Sequence, residues 1–241
     1  MNTQIAVQVE NLSKCFGENE VIRDCNVTIY QGTIYGLLGV NGAGKTTLFK
    51  LLTGLLRPVN GNIKILGSDM LKNRDSMLSK IGSLIESPVF YEHLSARKNL
   101  EIHLAYMETR GIGIDKALQM VGLTDTGENP VSTFSLGMRQ RLGIARAIVH
   151  EPKLLVLDEP INGLDPMGIK HMRELFVNLI KEKNLTILIS SHILSEIEHI
   201  ADTVGVISDG RIMYETDLNE IKNKNQGCLE DYFFTLMSGG N

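Results

Sequence analysis

The octapeptide Gly39-Val40-Asn41-Gly42-Ala43-Gly44-Lys45-Thr46 lies between an apolar run and a stretch with helical spacing. That context is what a phosphate-binding loop requires. Its glycines let consecutive backbone N–H groups converge on an anion, and the helix that follows adds partial positive charge at its start. Lys45 can reach terminal phosphates and Thr46 offers a hydroxyl to Mg²⁺; Gly39, Asn41, Gly42, Ala43, Gly44 and Thr47 complete the candidate ligand contacts. The second chemical element is residues 154–159, an apolar run closed by Asp158 and Glu159. Beside bound phosphates, Asp158 suits the metal, through water, while Glu159 can orient and polarise an attacking water. In isolation the two acids could be a solvated strand end. The phosphate loop earlier in the chain favours a hydrolytic pair.

These two motifs serve several classes of enzyme, and the segment that separates them is Phe134-Ser135-Leu136-Gly137-Met138-Arg139-Gln140-Arg141. It resembles the signature of ATP-binding-cassette (ABC) ATPases, LSGGQ followed by Gln-Arg. Ser135, Gly137, Gln140 and Arg141 agree with that pattern, whereas Phe134, Leu136 and Met138 depart from it. Ser135 is also a natural helix N-cap, a role compatible with the functional one. Asn162-Gly163-Leu164-Asp165 is similar to the family's D-loop, and Ser191-His192 to its switch, whose His meets the γ-phosphate. Phe16 occupies the position of the family's adenine-stacking aromatic; a core Phe is the alternative. The resemblance runs from about residue 5 to 215 and implies a phosphate-loop NTPase (RecA-like) α/β core, an antiparallel β subdomain and a helical lobe at about 87–137. It implies an ATPase domain over 5–228 with a tail at 229–241. It further implies ATP and Mg²⁺ as ligands, Lys45, Glu159 and His192 in catalysis, and a head-to-tail dimer in which Ser135, Gly137 and Asp165 face the partner's nucleotide. Separate transmembrane permease subunits would hold the chain on the cytoplasmic face of the cell membrane.

One departure narrows the expectation. In Ile81-Gly82-Ser83-Leu84-Ile85-Glu86-Ser87-Pro88-Val89-Phe90, Glu86 stands where the family has a Gln that touches Mg²⁺ and relays nucleotide state to the membrane subunits. A carboxylate there attracts the cation and repels the γ-phosphate. Glu86 is thus expected as a metal contact with a part in catalysis. Together with the altered signature it resembles subunits of lantibiotic self-immunity and bacitracin-type resistance exporters. A general multidrug exporter and a soluble ABC ATPase of the iron–sulfur assembly type are the alternatives.

Positioning these groups requires strands that end at one edge. Strands are expected at 6–9, 26–30, 33–38, 63–66, 154–157 and 186–190, with helices at 46–56, 138–149 and from Pro166 onward. Asn60-Gly61 reads as a hairpin turn and Asp209-Gly210 as another. Residues 95–121 read as two helices, with Ser95 and Asp115 near their starts. Buried strands alternating with helices describe an α/β nucleotide-binding core.

Composition sets outer bounds. The chain has 241 residues, 43% hydrophobic and 22% charged, with a formal net charge of −4. No basic excess marks a nucleic-acid partner. No apolar run approaches the roughly 20 residues that span a bilayer, and the first residues do not read as a secretion signal. Cys15, Cys25 and Cys228 are too scattered for a disulfide framework, and His192 and His199 lack further metal ligands. The nearest string to a guanine-reading motif, Asn223-Lys224-Asn225-Gln226, lacks the acid. No long coiled coil separates the phosphate loop from the signature, which argues against a chromosome-maintenance ATPase.

Overall fold

The computed structural model describes residues 4–218. Cys228, the string at 223–226 and the tail at 229–241 lie outside the described residues. The chain opens with two long strands, β1 (Ile5–Phe16) and β2 (Asn19–Tyr30), and continues through β3 (Ile34–Leu38) into α1 (Lys45–Leu52). Next come β4 (Asn60–Ile65), β5 (Ser68–Asp69), α2 (Arg74–Leu78) and β6 (Ile81–Leu84), then α3 (Ala96–Tyr106) and α4 (Ile114–Met120). The remainder is α5 (Leu136–Ile148), β7 (Leu154–Asp158), α6 (Pro166–Lys183), β8 (Thr186–Ser191), α7 (Leu194–Ile197), β9 (Thr203–Ser208) and β10 (Arg211–Asp217).

The strands form two sheets. One is antiparallel, in the order β2-β1-β4-β5; the other runs β10-β9-β3-β8-β7-β6, parallel except for β10. Every residue of β3, β7 and β8 is buried, as expected for parallel strands covered on both faces. Alternate side chains enter opposite cores: Leu155 and Leu157 pack with the helical segment, and Leu154 and Val156 with the antiparallel sheet. Because β3, β8, β7 and β6 are adjacent and parallel, their C-terminal ends open at one edge. The phosphate loop, His192, the acid pair and Glu86 all follow those ends, the usual ligand side of such a sheet.

The antiparallel sheet differs most from expectation. Both opening strands are twelve residues long, not four or five, because Asn11 (φ 50°) and Asp24 (φ 42°) absorb irregularities that break the alternation. Asn60-Gly61 makes no hairpin turn. It begins β4, paired with β1 beside the irregularity between Glu10 and Ser13. Gly61 (φ 93°) is needed there, since a Cβ would lie 2.5 Å from the Asn11 carbonyl oxygen. The turn falls at Leu66-Gly67, both at positive φ. α1 stops at Leu52, short of the expected 56, where Thr53 leaves helical geometry and its hydroxyl donates to the Phe49 carbonyl at 2.8 Å.

A pair of histidines ties the helical segment to the edge of the large sheet. His150 Nε2 lies 3.2 Å from the Ile81 carbonyl oxygen, which can only accept, so Nε2 carries the proton and Nδ1 accepts from His103 Nε2 at 3.2 Å. Burial, then the His150 and Arg146 charges, pushes His103 down to about 4, and burial also lowers His150. Both pKa values fall on folding. Their stabilising contribution is therefore complete above the unfolded value of about 6.5 and is lost as pH drops through that value toward the folded one. The melting temperature should fall between pH 7 and pH 5, and fall less when both histidines are replaced by glutamine. Equal falls in calorimetric scans of the two proteins would remove the pair as the cause.

Candidate active site

The loop after β3 encloses an open polar cleft of about 250 Å³, lined by Val21, Asn41, Gly42, Gly44, Lys45, Thr46, Thr47 and Glu159. Gly44 precedes α1 at φ 110°, and a Cβ there would lie 2.9 Å from Ile22 Cδ1, so only glycine lets the loop close against β2. Gly39 and Ala43 shape the cleft from behind: the Gly39 carbonyl accepts from Lys45, and the Ala43 carbonyl accepts from the Gly210 amide at 3.0 Å. The buried Lys45 ammonium donates to the Gly39 and Val40 carbonyls at 2.6 and 3.2 Å and lies 3.4 Å from Glu159 Oε1.

Both oxygens of Asp158 are engaged. Thr46 Oγ1 donates to Oδ2 at 2.7 Å, and Ser190 Oγ donates to Oδ1 at 2.7 Å. The same Ser190 hydroxyl accepts the Glu159 amide at 2.9 Å, so one side chain on β8 fixes both acids at the tip of β7. Glu159 turns at φ 46°. Its Oε2 lies 2.9 Å from His192 Nδ1 and accepts from Asn162 Nδ2. Lys45, Thr46, Asp158, Glu159 and His192, from three separate segments, thus form one connected cluster.

The other expected site residues lie outside that cluster. Glu86 follows β6 at φ 59°, and its carboxylate pairs with Lys50 Nζ on α1 at 2.6 Å. Phe16 is half exposed at the end of β1, with Lys14 Nζ 5.2 Å from the ring centre. Ser135 caps α5 by accepting the Met138 amide at 3.2 Å, and Asp165 caps α6 by accepting the Gly168 amide at 2.9 Å. Gly137 packs beside Leu164, where a Cβ would lie 3.3 Å from Leu164 Cδ2. The signature segment and the 162–165 turn therefore pack together at the starts of two helices. None of Phe16, Glu86, Ser135, Gly137 or Asp165 lines the phosphate cleft.

A family profile described as ABC transporter matches residues 22–162. The chain belongs to the ABC transporter family. The bacitracin transport ATP-binding protein BcrA of Bacillus licheniformis is 48% identical over 225 residues, covering 93% of this chain and 74% of BcrA. The lantibiotic transport ATP-binding protein SrtF of Streptococcus pyogenes is 44% identical over 227 residues, covering 94% of this chain and 95% of SrtF. A solved ATP-binding subunit of an ABC transporter superposes with a TM-score of 0.85 at 28% identity, over 96% of this chain and 99% of that one. The chain is an ABC ATPase that binds and hydrolyses ATP, with a phosphate-loop NTPase fold.

In this ABC ATPase the donor set beside the loop suits a hard divalent cation. The Thr46 hydroxyl and the buried Asp158 carboxylate are adjacent oxygens, and Mg²⁺ characteristically takes one or two carboxylates together with substrate phosphates. No helix among the described residues is long and apolar enough to cross a membrane. Sequence reasoning passed over three contributors: Ser190, Lys50, and Asn162 as a Glu159 partner. Ser190 left a signal, a hydroxyl one residue before Ser191-His192 at the end of an otherwise apolar strand.

Proposed function

We propose that the chain powers export of a peptide antibiotic of the lantibiotic or bacitracin class, conferring immunity or resistance. It would act with separate transmembrane permease subunits on the cytoplasmic face of the membrane. The observation that carries this reading is Glu86, a carboxylate in the loop that links the large sheet to the helical segment, in a chain whose relatives are named for bacitracin and lantibiotic transport. A general multidrug exporter or a soluble assembly ATPase has no comparable observation in its favour.

For hydrolysis, Lys45 would turn from the Gly39 and Val40 carbonyls to the incoming phosphates. That releases Oε1 of Glu159, whose carboxylate would accept a hydrogen bond from the attacking water. His192, now on Glu159 Oε2, would keep that carboxylate oriented and meet the γ-phosphate. The water's oxygen bonds to the γ-phosphorus, its proton passing to Glu159, as the bond to the β,γ-bridging oxygen breaks, giving ADP and phosphate. Thr46 and Asp158, with Glu86 on the relay side, would hold Mg²⁺, which when bound offsets the charge on the phosphate oxygens. Ser135, Gly137 and Asp165 would close over the nucleotide of a second subunit arranged head to tail. The separation of these residues from the phosphate cleft supports that arrangement, and Phe16 would stack on adenine.

The test is Glu86→Gln in the permease complex. ATP affinity should stay within about threefold, because the loop and Lys45 supply most of the phosphate binding. Protection, read as minimum inhibitory concentrations against lantibiotics and bacitracin, should fall by a larger factor than ATPase activity of the same purified complex. Proportional losses would make Glu86 a catalytic ligand alone. No change in either would remove the sequence support for the immunity assignment.

A further inference from the structure

The Glu86 carboxylate has a partner whose position on α1 gives it a consequence. Lys50 Nζ lies 2.6 Å from Glu86 Oε1, and the Glu86 side chain is 61% exposed. A pair so open to water adds little to fold stability. Its effect lies in where it holds the charge. Lys50 comes four residues after Thr46, and positions i and i+4 share a helix face. The Thr46 hydroxyl is bonded to Asp158, so the ion pair lies one helical turn along the same face from the candidate cation oxygens.

The loop carrying Glu86 is anchored on both sides. Before it, β6 pairs with β7 through Leu84 and Leu157; after it, the Val89 carbonyl accepts from Arg146 on α5 at 2.7 Å. Between these anchors Glu86 holds φ 59°, a left-handed geometry that non-glycine residues adopt at a cost. Lys50 is the ionic contact that holds the side chain of this strained residue.

We propose that Lys50 is a positioning residue that keeps the Glu86 carboxylate in reserve on α1, its ammonium competing with the divalent cation for that carboxylate. The inference rests on the assignment of Glu86 as a cation contact. Release from Lys50 on arrival of nucleotide and cation would move the loop that leads toward the helical segment. Lys50 thereby sets the cation concentration at which that movement occurs.

The test uses the full 241-residue chain, saturated with a non-hydrolysable ATP analogue and titrated with Mn²⁺ as a paramagnetic probe. Lys50→Met keeps the aliphatic stem and removes the charge. It should tighten Mn²⁺ binding by about threefold to tenfold, the scale expected for freeing one carboxylate from a contact ion pair near the surface. Lys50→Arg should stay near the parent, and Lys50→Met should have no effect in a Glu86→Gln background. If Glu86→Gln weakens Mn²⁺ while Lys50→Met changes nothing, the competition is refuted and the Glu86 assignment survives. If Glu86→Gln leaves Mn²⁺ affinity unchanged, both fall. An equal Lys50→Met effect with and without the carboxylate would also refute the competition, by assigning the effect to the lysine alone.

Discussion

Glu159→Gln should stop turnover while leaving ATP bound. The substitution keeps the shape of the side chain and removes the charge that would polarise the attacking water, so kcat should drop by at least about a hundredfold. Binding should persist because the phosphate loop is untouched. Lys45 loses the carboxylate now 3.4 Å away and is freer to engage phosphate, so affinity should be equal or slightly higher. The mutant should also accumulate as an ATP-bound dimer. Single-turnover hydrolysis measured beside nucleotide binding, with size-exclusion chromatography in ATP, separates these effects. Hydrolysis near the parental rate would move the base elsewhere, and His192, 2.9 Å from the same carboxylate, would be the next residue to substitute.

What could be read from the sequence, and what could not, divides along a physical line. The phosphate loop and the acid pair are legible because their chemistry lies in consecutive residues flanked by apolar runs. Parallel strands buried on both faces give those runs without ambiguity. The elements of the antiparallel sheet are harder, since Asn11 and Asp24 interrupt the alternation that marks a strand, and pairing carries the strand through them. Asn60-Gly61 shows the same limit: the dipeptide signals positive φ, but whether that serves a turn or the accommodation of an irregular neighbour depends on β1, some fifty residues earlier. Within the site, Ser190 and Lys50 were missed because their roles are set by partners distant in sequence, Asp158 and Glu86. Glu86 was legible as a departure from a pattern, but its pairing with Lys50 was not.

Ser135→Arg should abolish hydrolysis in a way that depends on the second subunit. Ser135 does not line its own phosphate cleft, so ATP binding to the isolated chain should be nearly unchanged. In a head-to-tail dimer the arginine would instead enter the partner's nucleotide site and hold the interface open. A displacement on the order of 1 Å at a reacting centre can cost about a hundredfold, and a blocked closure should cost at least that. Because Ser135 also caps α5, the substitution removes a hydrogen bond to the Met138 amide, a loss of about 1 kcal/mol in stability. Ser135→Ala provides the control, losing the cap without adding bulk, and should retain far more activity than the arginine variant. Mixing Ser135→Arg with Lys45→Ala chains leaves one intact composite site in each mixed dimer, an arginine-variant phosphate loop facing a normal signature. The mixture should therefore recover at most the activity of that one site. At low protein concentration the parental rate should rise faster than linearly. A rate linear in concentration would mean that each chain completes its own site.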